Sequence, residues 1–152
     1  MIEKQARGMP RSNRKSSAAT RKSIEVSAAL IFRDGKLLIT QRHHDSHLGG
    51  LWEFPGGKRE SYETFEACLV REIREELGVE IAVGELFEEI FHDYPEKSVH
   101  LKFFVCNLLS GEPQPVDCAA VKWITKPELD VHDFPAADAR LLEKLAGWIF
   151  PA

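Results

Sequence analysis

The stretch that decides the fold is residues 57–79, which read GKRESYETFEACLVREIREELGV. Glu72, Glu75 and Glu76 are three and four residues apart, so on a helix they share one face. Apolar residues fall on another side of that helix and can be buried: Val70, Ile73 and Leu77. Neighbouring like charges on a helix repel by about 0.2–0.5 kcal/mol per pair. A hard divalent cation with oxygen ligands would offset this repulsion, so the pattern predicts a magnesium site on a helix.

The flanking residues predict where this helix begins and ends. Thr64 is a candidate N-cap, and Gly78 suits the left-handed position just past the C-terminus, which gives a helix of about thirteen residues. Upstream, residues 51–58 read as the end of a strand followed by a glycine loop. The adjacent Gly56 and Gly57 allow the backbone to approach an anion or a metal closely, which a Cβ would hinder.

A known motif has the same residues at the same spacing. Gly57, Glu63 and the run REIREELGV at 71–79 resemble the signature box of the Nudix hydrolases, and every fixed position is filled, including the aliphatic Ile73 and Val79. The alternative interpretation is a charged, solvated amphipathic helix without a catalytic role. The resemblance implies an α/β protein with the Nudix α/β/α sandwich and a mixed sheet.

Composition indicates one globular domain at residues 24–152. The chain has 152 residues, of which 43% are hydrophobic, so it can bury a substantial core. It has no long apolar run, which argues against a membrane span. Its three cysteines, Cys68, Cys106 and Cys118, have no paired spacing, so we expect neither a disulfide framework nor a zinc site. This usage fits a reducing cytoplasm.

The first 23 residues form a basic leader. They carry seven Lys and Arg residues against one Glu, a net charge of about +6, which leaves about −10 for the remainder because the total is −4. Their serine-rich, apolar-poor composition predicts disorder. Three interpretations stay open: a solubilising tail, a nucleic-acid-binding arm or a transit peptide.

Strand and turn signals fill the rest of the chain. The segments with strand character are residues 25–32, 37–42, 81–91, 99–109 and 121–124. Asp34-Gly35 predicts a hairpin between the first two, and residues 94–97 a turn between the two long strands. Residues 133–135 open a predicted C-terminal helix that runs to about Trp148, with its leucines inward: Leu141, Leu142 and Leu145.

The Nudix resemblance also implies a metal site and its chemistry. It makes Glu72, Glu75 and Glu76 the catalytic metal ligands, with the Gly56 carbonyl adding an oxygen. Glu72 is the first candidate for deprotonating or orienting the attacking water. The implied cofactor is Mg²⁺, for which Mn²⁺ can substitute.

Residues beside these ligands have supporting roles in the same prediction. Lys58 is placed to contact a phosphate group. Glu63 and Arg71 are expected to hold the site through an ion pair.

The resemblance extends beyond the box to the MutT-type pyrophosphohydrolases. The matching segments are residues 39–42, 53–58, 94–95, 111–113 and 133–138. It implies that Asp117, six residues before Trp123, completes the metal site, and that Arg42 and Phe54 contact the substrate. Tyr94 is a candidate for stacking on the base.

One position departs from the MutT pattern. Where that pattern has an Asn that reads the purine, this chain has Asp138. An ionised carboxylate only accepts hydrogen bonds, and it could still accept from guanine N1–H and N2–H. The alternative for Asp138 is a carboxylate at a helix start, favoured by the helix dipole.

Three functions are weighed. The first is Mg²⁺-dependent hydrolysis of a nucleoside triphosphate, (d)GTP or 8-oxo-dGTP, to monophosphate and pyrophosphate. The second is removal of pyrophosphate from the 5′-triphosphate of RNA to initiate decay, which the basic leader favours and the acidic remainder disfavours. The third is a non-catalytic nucleotide-sensing or protein-interaction domain of Nudix shape, which the complete set of box glutamates disfavours.

Overall fold

The computed structural model describes residues 22–152, so the predictions for residues 1–21 of the leader lie outside the described residues. The strands are β1 (Lys22–Arg33), β2 (Lys36–Gln41), β3 (Trp52–Glu53), β4 (Gly56–Lys58), β5 (Glu80–Asp93), β6 (Lys97–Ser110) and β7 (Ala120–Ile124). The helices are α1 (Phe65–Leu77) and α2 (Ala139–Ala146), with 3₁₀ turns at Lys126–Val131 and Ala136–Asp138.

Strand β1 organises a mixed sheet. Its first ten residues pair in parallel with β6, which pairs antiparallel with β5. Its middle pairs antiparallel with the short strand β4. Its end forms the predicted hairpin with β2, where Asp34 and Gly35 both have positive φ, 53° and 76°. Strand β2 then pairs with β3 and β7.

The sheet has a helix on each face, because successive side chains of β1 point to opposite sides. Ala29 and Ile31 face α1 and form one core with its buried Leu69 and Ile73. The other core contains Ala28 and Leu30 with two buried leucines of α2, Leu141 and Leu145. The predicted α/β/α sandwich with a mixed sheet is confirmed.

Several local predictions differ from the structure. Strand β1 begins at Lys22, two residues before the predicted domain start, because its parallel ladder with β6 extends to Lys97. The glycine stretch at 56–58 is a short strand rather than a loop, since it pairs with β1. Val70 on α1 is only half-buried, and the fully buried Leu69 takes the predicted core role.

The C-terminal helix is shorter than predicted. It is preceded by a 3₁₀ turn in which the N–H of Asp138 donates to the carbonyl of Pro135 at 3.0 Å, and it ends at Ala146 before Gly147. Leu142 is half-buried at its edge. No helix within residues 22–152 is long and apolar enough to cross a membrane.

Candidate active site

Caps and a buried face position helix α1. Thr64 Oγ1 accepts the N–H of Ala67 at 3.0 Å, and Gly78 ends the helix with a φ of 70°, both as predicted. The side chains on its core side are fully buried: Cys68, Leu69, Ile73 and Leu77. This packing fixes the rotation of the helix about its axis and turns Glu72 and Glu76 towards strand β4.

The two glycines of β4 lie in direct contact with other parts of the site. A Cβ built on Gly57 would lie 2.2 Å from the carboxyl carbon of Glu72, so the carboxylate rests on the glycine backbone. A Cβ on Gly56 would lie 1.9 Å from the carbonyl oxygen of Ser27 in the paired strand β1. The sheet therefore requires glycine at position 56, and glycine at position 57 leaves room for the carboxylate of Glu72.

Arg71 joins three carboxylates around the start of the site. Its Nε and Nη2 donate to the two oxygens of Glu63 at 3.0 and 2.7 Å. Its Nη1 lies 2.9 Å from Glu72 and 3.3 Å from Glu75. The fork-shaped pair with the guanidinium lowers the pKa of Glu63 to about 2. The predicted Arg71–Glu63 ion pair is present, and Arg71 offsets part of the repulsion on the helix.

Glu76 is a buried acid whose ionised form is disfavoured. Its Oε1 is buried and has no hydrogen-bond partner among residues 22–152. Burial, with the negative charges of Glu53 and Glu72, raises the pKa of Glu76 to about 9, against a hydrogen bond from the Gly56 backbone that lowers it. Burial also raises the pKa of Glu72. Both carboxylates would be relieved by a nearby positive charge.

The loop at 111–119 brings Asp117 to the C-terminal end of α1. The N–H groups of Val116 and Asp117 donate to the carbonyl of Glu76 at 3.0 and 3.1 Å. The carboxylate of Asp117 is 74% exposed, and its Oδ1 lies 3.1 Å from Nε2 of His43. Tertiary structure therefore places the backbone of Asp117 beside Glu76, while its side chain contacts His43.

The donor set fits a hard divalent cation, although the side chains are held in other contacts. Within residues 22–152 no three His, Cys, Asp or Glu side chains converge on a common metal position. Arg71 binds Glu72 and Glu75 in this arrangement. The buried Oε1 of Glu76 without a partner fits a cation, because carboxylate and carbonyl oxygens are the ligands that Mg²⁺ prefers. The metal-ligand roles stay predictions.

A cavity of about 280 Å³ opens beside Glu76. Gly56, Gly57 and Lys58 line it next to the glutamate, and Tyr94 lines it from the turn between β5 and β6. Its apolar wall comes from strand β6: Val99, Leu101 and Phe103. The predicted phosphate and base contacts thus border one space, which is continuous with the acidic site.

Asp138 forms a buried part of the wall of this cavity. It is 7% exposed, and burial, with the charge of Glu53 as the second cause, raises its pKa to about 7. Beside it Phe54 is 5% exposed and stacks on Phe134 with ring centroids 5.2 Å apart. Phe54 therefore borders the cavity as part of the core, and Asp138 lines the same cavity as Glu53 and Glu76.

Arg42 lines the cavity and forms an ion pair with Glu53, to which the sequence analysis assigned no role. Its Nη1 lies 3.0 Å from Glu53, and its Nε donates to the carbonyl of His47 at 2.7 Å. Burial raises the pKa of Glu53, and Arg42 opposes the rise. The cross-strand register, in which Thr40 faces Glu53, brings the two together, and the resemblance at residues 53–58 included Glu53 without assigning it a role.

Known proteins of related sequence match most of this chain. The model of the NUDIX domain matches residues 27–144. A CTP pyrophosphohydrolase of Escherichia coli is 41% identical over 122 residues, covering 80% of this chain and 90% of that protein. An 8-oxo-dGTP diphosphatase of E. coli is 32% identical over 125 residues, covering 82% of this chain and 97% of that protein.

Solved structures show the same fold. The solution structure of the E. coli ORF135 protein has a TM-score of 0.73 at 38% identity, covering 85% of this chain and 92% of that one. MutT from Aliivibrio salmonicida and Vibrio cholerae has a TM-score of 0.71 at 26% identity, covering 83% and 98%. Nudix hydrolases generally use divalent metal cations. Domain match, relatives and fold together show that this chain belongs to the Nudix family as a MutT-like hydrolase acting on phosphoanhydride bonds.

Proposed function

We propose that this enzyme hydrolyses nucleoside triphosphates to the monophosphate and pyrophosphate, with the base held against Asp138. One observation carries the proposal: a single cavity of about 280 Å³ is lined both by the buried carboxyl of Asp138 and by Glu76 with its neighbouring glycines. A bound nucleotide needs a polar group for its base and a metal site for its triphosphate, and the two must lie within the length of one nucleotide. Similarity to a CTP pyrophosphohydrolase and to 8-oxo-dGTP diphosphatases supports this class of substrate.

The residues of the site divide the chemistry between them. The groups that would hold Mg²⁺ or Mn²⁺ are five: the carboxylates of Glu72, Glu75, Glu76 and Asp117, and the carbonyl of Gly56. A divalent cation at this place supplies charge neutralisation for the triphosphate and a lowered pKa for water. Because a nucleoside triphosphate carries about four negative charges, a bare cluster of glutamates would repel it.

Three side chains have further roles in this proposal, towards the attacking water, the phosphate groups or a neighbouring carboxylate. Glu72, resting on Gly57, orients or deprotonates the attacking water. Lys58, exposed at the rim of the cavity, contacts a phosphate group. Arg71 holds the carboxylate of Glu72 through its 2.9 Å contact and is itself held by Glu63.

Asp138 accounts for two possible bases. As a carboxylate it accepts from N1–H and N2–H of guanine, which keeps (d)GTP and 8-oxo-dGTP among the proposed substrates. As a neutral acid it donates to N3 and accepts from the N4 amino group of cytosine. The pKa of about 7 makes both forms available near neutral pH, and this observation favours a cytidine triphosphate as the second candidate.

A substrate comparison tests the proposal. The quantity to measure is kcat/KM with Mg²⁺ at matched salt for 8-oxo-dGTP, dGTP, dCTP and a short 5′-triphosphorylated RNA, with Glu76→Gln as the inactive control. We expect at least one free nucleotide to exceed the RNA by a hundredfold, about 2.7 kcal/mol in the transition state. If RNA releases pyrophosphate efficiently and every free nucleotide is hydrolysed slowly, the proposed nucleotide hydrolysis is wrong and the enzyme acts on the 5′-triphosphate of RNA.

We also propose a cytoplasmic location. Cys68, Cys106 and Cys118 all carry free, buried thiols, and burial raises the pKa of each, to about 11, 12 and 11. Thiols of this kind fit a reducing compartment. Fractionation of cells that express the full chain would test the location.

A further inference from the structure

His43 and Asp117 connect two loops that are 74 residues apart in the chain. His43 follows the end of β2, and Asp117 lies in the loop before β7. Their side chains meet with Nε2 and Oδ1 3.1 Å apart. Both line a second cavity of about 150 Å³, whose wall also includes Glu53 and Glu76. The contact therefore stands at the edge of the acidic site.

The backbone on each side of this contact is fixed. Asp117 N–H donates to the carbonyl of Glu76 at 3.1 Å, and Ala119 N–H donates to the carbonyl of Gln41 at 2.8 Å. The carbonyl of His43 accepts from the N–H of Ser46 at 3.1 Å and from its hydroxyl at 2.7 Å. With both backbones held, the remaining freedom of Asp117 is rotation of its exposed carboxylate, and His43 is the side chain that restricts it.

We propose that His43 is a positioning residue that acts through Asp117, holding its carboxylate towards the cation site beside Glu76. The proposal rests on the proposed function, in which Asp117 is a metal ligand. The contact uses Oδ1, so Oδ2 can face the cation. Ordering a free side chain opposes ligation, and a carboxylate that is already oriented loses less freedom when the metal binds. His43 contributes position here, without contacting substrate or metal.

Direct Mn²⁺ binding, measured by electron paramagnetic resonance on the full chain without substrate, tests this role. We expect His43→Ala to weaken Mn²⁺ binding by about tenfold, the lower end for partners of metal ligands because the pair is partly exposed. His43→Gln places an amide nitrogen near the position of Nε2 and should restore binding. His43→Asn, whose amide reaches only the position of Nδ1, should not. The Mg²⁺ concentration for half-maximal activity should follow the same order.

A double-mutant cycle shows whether His43 acts through Asp117. In an Asp117→Ala background, His43→Ala should change the Mn²⁺ Kd by less than twofold. A further tenfold loss there would overturn the proposal, since His43 would then act independently of the carboxylate. Circular dichroism of each variant checks that the fold is retained.

Glu76→Gln distinguishes a failure of the positioning role of His43 from a failure of the proposed metal site. If Glu76→Gln weakens Mn²⁺ binding while His43→Ala and wild type bind equally, the positioning role is wrong and the metal site stands. If Glu76→Gln binds Mn²⁺ as wild type does, the metal assignment of the proposed function is wrong, and the role of His43 is overturned with it.

Discussion

The carbonyl of Glu76 accepts the backbone N–H of Asp117 at 3.1 Å. One residue of helix α1 thus carries a buried carboxylate on its side chain and, through its backbone, fixes the loop that holds a second carboxylate. The C-terminal carbonyls of a helix lack partners within the helix, so a loop that supplies N–H groups is stabilised there. The helix end therefore sets the distance between the two acids, and a change in either element moves both.

Glu76→Gln should abolish measurable turnover, with a loss of about 10³-fold in kcat, because a carboxylate ligand of the proposed divalent cation is lost. It should also stabilise the metal-free protein. The pKa of Glu76 is raised to about 9 in the folded state, so as pH rises from about 4.5 to 9 the unfolded chain releases its proton first and the folded state loses stability. Gln has no such proton.

Thermal unfolding in EDTA at pH 5 and pH 8 measures this effect. The variant should exceed wild type by up to about 8–16 °C more at pH 8 than at pH 5, because a carboxyl with a folded pKa of about 9 costs up to about 4 kcal/mol over this range. Glu75→Gln, at a carboxylate that is 58% exposed, is the matched control and should show little pH dependence. A constant difference between Glu76→Gln and wild type at both pH values would contradict the raised pKa.

Alanine at Gly56 and at Gly57 should have opposite consequences. At Gly57 the added Cβ meets the flexible end of Glu72, which can move aside, so we expect an unfolding temperature close to wild type and about a 10²-fold loss of kcat. At Gly56 the Cβ meets the Ser27 carbonyl, which is held in the sheet, so stability should fall. The unfolding temperature and kcat of both variants test this difference. If Gly56→Ala and Gly57→Ala lower the unfolding temperature equally, the geometry described at Gly57 is wrong.

Local signals explain why helix α1 was predicted to the residue. Its boundaries depend on Thr64 and Gly78, and each acts within one turn of the helix. The Asp34-Gly35 hairpin is local in the same sense. Predictions that depend on caps and turn residues were therefore correct, whereas the glycine loop at 56–58 and the start of α2 were wrong because sheet pairing and a 3₁₀ turn from Ala136 decide them.

Long-range contacts explain what the sequence could not predict. Glu53 meets Arg42 through the register of β2 and β3, and it influences Asp138, which is 85 positions further along the chain. His43 meets Asp117 only because two loops fold to one edge of the sheet. Such pairs involve residue types that are common on protein surfaces, so composition and spacing carry no signal for them.

Glu63→Gln should destabilise the protein at neutral pH and do so much less at pH 2.5. Arg71 lowers the pKa of Glu63 to about 2, so the pair adds stability above the unfolded value of about 4.5 and loses it as pH falls from there towards 2. Urea unfolding midpoints at pH 7 and pH 2.5 measure the change. Glu80→Gln, which breaks the more exposed pair with Arg74, is the control and should have the smaller effect at pH 7. A loss of equal size at both pH values would show that packing, and not charge, is responsible.

Asp138 should make the choice of base depend on pH. Below its pKa of about 7 the neutral acid both donates and accepts and can pair with either base, whereas above it the carboxylate only accepts and pairs with guanine alone, so the ratio of kcat/KM for dCTP to that for dGTP should fall as pH rises from 6 to 8. Groups that act on the triphosphate cancel in this ratio. A correct two-point pair discriminates by about 1–3 kcal/mol, so the ratio should change by about tenfold or more.

Asp138→Asn provides the decisive control for this effect. An amide donates and accepts without titrating, and it can pair with either base, so the ratio for this variant should be flat between pH 6 and 8. Asp138 is 7% exposed, and the isosteric amide keeps its packing in the cavity wall. If the ratio still falls with pH in Asp138→Asn, another group reads the base, and Glu53 beside it, with its own raised pKa, is the residue to change next.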